Sequence, residues 1–132
     1  MNQLQLFLPC AAGVEELLAA EVHHITGIAG TSWRAGVQLQ GSWRDAQQLN
    51  LHSRLAQRVL WRVGQRIYRD EEDLCALGTS IDWTDWINPS HTLRVDVTSR
   101  RSPLRSLNFA ALRIKDAVCD VLREATGERP SV

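Results

Sequence analysis

Arg100, Arg101 and Arg105 fall within a six-residue span just before the longest amphipathic stretch of the chain. A guanidinium is planar, permanently charged and forked, which suits phosphate better than a lysine point charge does. The start of a helix adds backbone N–H groups that already favour an anion. Asn108 lies three residues beyond Arg105 and Lys115 seven beyond Asn108, helical spacings that extend the polar set along one face. Together these residues could hold a nucleic-acid phosphate backbone. The same spacing suits a solvated, salt-bridged helix face, so charge alone leaves both readings open.

Other residues offer less. Arg54, Arg58, Arg62 and Arg66 recur every four residues and could make a second basic stripe, though such runs are more often solvated faces. Trp33, Trp43, Trp61, Trp83 and Trp86 could stack on bases. The commoner fate of tryptophan is burial, in a core or, for the Trp83 and Trp86 pair, as a plug between domains. His23 and His24 do not combine with Cys10, Cys75 or Cys119 at the ligand spacing of a closed tetrahedral metal site. Nothing beside those cysteines resembles the oriented base of a nucleophilic enzyme. An odd number of cysteines with no CxxC pair argues against a disulfide framework and fits a reducing compartment.

The elements that would position these residues come from a chain of 132 residues, 44% hydrophobic and 23% charged. That size excludes a large two-domain enzyme, and that mix excludes disorder throughout. Fifteen Lys+Arg balance fifteen Asp+Glu, so nucleic-acid binding would have to come from local clustering. No apolar run approaches the roughly 18 residues of a membrane span and no leader pattern opens the chain, so a cytoplasmic protein that meets no membrane is expected.

Leu4, Leu6 and Leu8 alternate up to Pro9 and predict a strand. Val14, Leu17, Leu18, Val22 and Ile25 follow at helical spacing, with Glu15, Glu16 and Glu21 on or near the polar side. Gly27 to Gly30 ends that helix, and Trp33, Val37 and Leu39 fit two short strands meeting at Ala35-Gly36. Ser42 caps a helix carrying Ala46, Leu49 and Leu51. Arg58 to Tyr68 places Val59, Trp61, Val63 and Ile67 on alternate positions, a further strand. The order is β-α-β-β-α-β, a ferredoxin-like unit over residues 1–68.

A second unit, residues 69–132, opens with acidic residues before a helix marked by Leu74, Leu77 and Ile81, which Gly78 and the Trp83 to Trp86 turn should stop. His91 to Ser99 carries Leu93, Val95 and Val97 in strict alternation and predicts a strand, followed by a basic loop to Pro103. From Ser106, Leu107, Ala110, Ala111, Ile114, Val118, Val121, Leu122 and Ala125 make the strongest helix, closed by Gly127 and Pro130. One strand leaves so long an apolar stripe too little sheet to pack against, so the chain reads as a fragment. The fold class is α+β.

The stretches LFLPCAAGVEELLAAE, LHSRLAQRVLWRVG, INPSHTLRVDV and RSLNFAALRIKDAVCDVLREATGERPSV resemble the N-terminal region of THUMP-containing ribosomal RNA guanine-N2-methyltransferases. The most specific part surrounds Arg113, Ile114, Lys115, Asp116 and Ala117. The resemblance implies a ferredoxin-like domain, then a THUMP domain that binds RNA and lacks its C-terminal strands here. It adds Arg113 to the candidate RNA-binding residues Arg100, Arg101, Arg105, Asn108 and Lys115, and names structured RNA as the partner, ribosomal before transfer RNA.

It also implies a Rossmann-like catalytic domain using S-adenosylmethionine, beyond these residues. No glycine-rich loop follows a strand here to hold that cofactor, and Asn88-Pro89-Ser90 lacks the second proline and aromatic of the family's guanine-positioning motif. No catalysis, cofactor or metal is therefore expected of these residues alone. The rival readings are a stand-alone RNA-binding adaptor and a protein-interaction module that pairs through an open sheet edge.

Overall fold

Leu4, Leu6 and Leu8 point to one side of strand β1 (Leu4–Pro9), and their burial organises everything in the first half of the chain. The computed structural model describes residues 3–99 and 101–130, which form two compact units, Met1–Val63 and Gly64–Val132. In the first, β1 is followed by helix α1 (Glu15–Thr26), strands β2 (Thr31–Trp33) and β3 (Gly36–Gly41), helix α2 (Trp43–His52) and strand β4 (Leu60–Arg62). The strands make one antiparallel sheet of order β2-β3-β1-β4, the ferredoxin-like β-α-β-β-α-β arrangement. Leu18 and Val22 of α1 and Ala46 and Leu49 of α2 close over Leu4, Leu6, Leu8, Val37 and Leu39. Each fully buried leucine or valine contributes roughly 1.5–3 kcal/mol.

Polar contacts pin the connections. Ser42 and Asp45 form a reciprocal capping box at the start of α2, with Asp45 N donating to Ser42 Oγ at 3.1 Å. The β2–β3 hairpin turns through Arg34 and Ala35, the latter at φ 59°. That left-handed alanine is held from both sides: its N–H donates to Glu15 Oε2 at 2.8 Å and its carbonyl accepts from Cys10 N at 2.9 Å. Glu21 accepts from the Ser53 hydroxyl and from the Arg54 and Leu55 amides, at 3.1 Å and 3.3 Å, and so ties the end of α2 to α1.

Three expectations about the elements are corrected. The strand expected over Arg58 to Tyr68 pairs only at Leu60–Arg62, opposite Gln5 to Phe7 of β1. Gly78 does not end its helix, α3 (Glu71–Ser80), but lies buried inside it. A Cβ there would stand 3.0 Å from the Ala117 Cβ, so glycine permits close helix approach. Residues 91–99 form no strand among the described residues, because no neighbouring segment pairs with them. Their side chains still alternate, with Leu93, Val95 and Val97 half-buried and Arg94 and Asp96 exposed.

The second unit is built on α3 and helix α4 (Leu107–Thr126), with a 3-10 turn at Trp83–Asp85. Asp70 caps α3 and Ser106 caps α4. Gly127, at φ 81°, ends α4 as expected. Trp83 Nε1 donates to the Gly78 carbonyl at 2.7 Å. None of the five tryptophans lies in the buried core, and Trp33 and Trp43 are more than half exposed, contrary to the burial expected of most.

Two outcomes test this description. A Cβ on Gly36 would strike the Phe7 ring and stand 2.9 Å from the Leu8 carbonyl oxygen, so Gly36→Ala should destabilise the first unit by about 1–3 kcal/mol, read as a lower urea midpoint. Burial pushes the Glu21 carboxyl up, but the Ser53, Arg54 and Leu55 hydrogen bonds and the Arg54 charge outweigh it and hold the group below its ordinary range. Such a carboxylate stabilises the fold above its unfolded pKa, about 4.3, and loses that contribution as pH falls through the lower folded value. Glu21→Gln should therefore lower the thermal midpoint at pH 7 and converge on wild type in acid; an equal deficit at both pH values would remove the charge from the explanation.

Candidate nucleic-acid interface

α4 carries its polar residues on two different sides. Asn108 and Lys115 share one side, separated by about 10.5 Å of helix rise. With Ala111 and Leu112, and with Leu93, Arg94 and Val95 from the preceding segment, they line an open groove of about 550 Å³. Asn108 is exposed and Lys115 half-buried, its stem beside apolar neighbours as long cationic side chains commonly lie. Arg94, at the same groove, is 85% exposed and within 3.1 Å of Asp96.

Arg113 faces elsewhere. Its Nε and a terminal nitrogen each donate to a Glu72 carboxylate oxygen of α3 at 2.9 Å, a forked pair, and it also lies 3.4 Å from Cys75 Sγ. The hydrogen bonds that Arg113 donates to Glu72, followed by the charges around it, raise the Arg113 pKa and keep the guanidinium charged. Asp116, 4.0 Å from Arg113, also reaches Arg129 at 3.5 Å. Within the Arg113–Ala117 motif, then, Arg113 and Asp116 hold the unit's own helices and tail while Lys115 lies on the groove.

Arg101 and Arg105 are exposed on the approach to α4, Arg101 at φ 51°. Arg105 precedes the cap Ser106, so its three-residue spacing to Asn108 carries no helical phase. The loop is anchored at Ser102, whose hydroxyl is 2.9 Å from Tyr68 Oη and accepts from Leu104 N at 3.1 Å. The structure thus brings Asn108 and Lys115 together, leaves Arg101 and Arg105 at the helix entrance, and turns Arg113 onto α3. Arg100 lies outside the described residues.

The basic series every four residues does not share an element. Arg54 and Arg58 sit in the connection after α2, Arg62 is in β4, and Arg66 is paired with Asp73 at 3.2 Å in the second unit. Arg94 was missed by a reading of basic clusters. It stands apart in the sequence from the other basic residues of the site, so clustering gave no signal for it. Among the described residues no group of His, Cys, Asp and Glu could hold a metal ion, and no helix is long and apolar enough to cross a membrane.

Residues 5–60 match the RlmL ferredoxin-like domain and residues 68–132 match the THUMP domain. Over 129 residues, 98% of its length, the chain is 38% identical to the ribosomal RNA large subunit methyltransferase K/L of Syntrophotalea carbinolica, of which it spans 18%. Among solved structures it matches a protein described as a "predicted N6-adenine-specific DNA methylase" from Listeria monocytogenes, with a TM-score of 0.91 at 23% identity over 100% of this chain and 35% of that one. It matches a protein described as a methyltransferase, solved with SAH, with a TM-score of 0.86 at 22% identity over 100% of this chain and 35% of that one.

The fold defines a ferredoxin-like domain followed by a THUMP domain. The chain is thus similar to one part of a ribosomal RNA large subunit methyltransferase, spanning about a fifth of that relative's length.

Because Arg113 is engaged with α3, Arg113→Ala should lower the urea midpoint of the second unit, whereas Arg105→Ala should leave it in place. Equal midpoints for the two variants would contradict the division of labour drawn here.

Proposed function

We propose that this chain is the RNA-gripping part of an S-adenosylmethionine-dependent ribosomal RNA guanine-N2-methyltransferase of the cytoplasm, holding structured RNA for a catalytic domain outside these residues. Its domains are residues 1–68, ferredoxin-like, and 69–132, THUMP. The observation that carries the reading is Asn108 and Lys115 on one side of α4, opening with Arg94 onto one groove in the part that matches the THUMP domain. Identity over nearly the whole chain to a ribosomal RNA methyltransferase supports the RNA class.

Arg101 and Arg105 supply phosphate contacts at the α4 entrance, with Arg100 next to them in the sequence; Asn108 and Lys115 extend them, and Arg113 acts by fixing the helix. Such contacts position an RNA without reading its sequence. Ribosomal RNA is preferred to transfer RNA on the identity of the curated relative.

The test is a salt titration of binding to a structured fragment of large-subunit ribosomal RNA, with the Arg105→Ala/Lys115→Ala double variant beside wild type. Micromolar-range affinity that falls with salt, with a shallower salt slope in the variant, is expected. Unchanged affinity in the double variant at low salt would overturn the helix-face reading.

A further inference from the structure

We propose that the open face of the first unit's sheet is a second RNA site, one that takes unpaired nucleotides by stacking. Both helices of that unit cover the Leu4, Leu6 and Leu8 side, and the strand register places Phe7, Gln5, Gln38, Trp33, Leu60 and Arg62 on the opposite side. Phe7 lies on a central strand, its ring over Gly36, where the missing Cβ makes room for it. Trp33 is 57% exposed and Leu60 42% exposed. A hollow of about 420 Å³ runs beside Phe7 between Gln5, Gln38, Leu60 and Arg62. A second, of about 500 Å³, shares Gln5 and Gln38 and extends to Trp33. The two therefore meet across the face, from the β2 edge to the β4 edge.

The chemistry of this face favours nucleic acid over a protein. Its strand residues include aromatic rings, amides and one arginine, and no carboxylate. Bases stack on aromatic side chains whatever their identity, and amides can both donate to and accept from base edges. Arg62 can meet a phosphate or a base plane. A dry apolar partner would instead leave the central Gln5 and Gln38 amides without hydrogen bonds, at a substantial desolvation cost. A four-stranded sheet that presents aromatic side chains is a known way to splay two or three bases of a single strand; here Phe7 stands on an inner strand and Trp33 on the β2 edge. The inference shares with the preceding reading only the premise that the partner is RNA; it concerns a different surface and a different RNA conformation.

The whole 132-residue chain would be titrated with a labelled, unstructured oligoribonucleotide of about ten residues and, separately, with the structured ribosomal fragment. Phe7→Leu keeps an apolar side chain over Gly36 and removes the ring; Trp33→Thr removes an exposed ring; Phe7→Tyr keeps the ring. The first two should each weaken the single strand about tenfold with an unchanged thermal midpoint, and Phe7→Tyr should bind as wild type. The Arg105→Ala/Lys115→Ala variant should keep its affinity for the single strand while losing it for the structured fragment. Wild-type affinity in both ring-deleting variants would overturn the proposal while leaving the α4 reading intact. Absence of binding to either RNA at low salt would overturn both.

Discussion

Which residues of α4 can meet a ligand is decided on the far side of that helix, at Gly78. With no side chain there, α3 and α4 approach until a Cβ on the glycine would stand 3.0 Å from that of Ala117. Ala110, Ala117 and Val118 are buried as a result, and Arg113, between them, is directed to Glu72. Successive helical residues are about 100° apart, so Asn108 and Lys115, each two positions before a buried alanine, lie about 160° around the helix from the α3 contact. The groove they line is thus a consequence of how α4 is packed. A larger residue at Gly78 would act on it without touching it.

The first unit follows the same logic with a sheet in place of a helix. Alternation along β1 commits Leu4, Leu6 and Leu8 to the covered side, so Gln5 and Phe7 must face the other way. The covering helices are then fastened by their carboxylates rather than by more apolar contact. Glu15 holds the left-handed Ala35 turn, and Glu21 gathers the amides that follow α2. Near these clamps, burial and, to a lesser degree, the Glu15 charge push the Cys10 thiol up, so that it stays protonated as part of the core.

Much of this was legible in the residues because it depends on local periodicity. The leucine alternation of β1, the Ser42 cap and the stripe of α4 each lie within one segment, and each element forms where it is expected. What was illegible depends on partners distant in the chain. Whether residues 91–99 join a sheet is a property of a neighbouring strand, and their alternation reports only which side is half-buried. Gly78 reads as a helix stop until Ala117 is set against it. Glu15 and Glu21 read as solvated charges until Ala35 and Ser53 are folded back to them. Of the candidate site, the pairing of Asn108 with Lys115 followed from spacing seven, whereas the diversion of Arg113 depended on Glu72, 41 positions earlier.

Balanced charge shapes what a grip on RNA can be. With fifteen basic and fifteen acidic residues there is no global field to draw in a polyanion, and several arginines are already paired to carboxylates. On the proposed readings affinity would be assembled from separate modest contacts: phosphates at the entrance and groove of α4, and bases stacked on Phe7 and Trp33. Modest sites on one chain gain from each other when a single RNA engages both, because the second encounter occurs at the effective concentration set by the tether. On those proposals the two surfaces would accept different parts of an RNA, phosphates of a folded helix at α4 and unpaired bases at the sheet, so a uniform duplex would engage only the first.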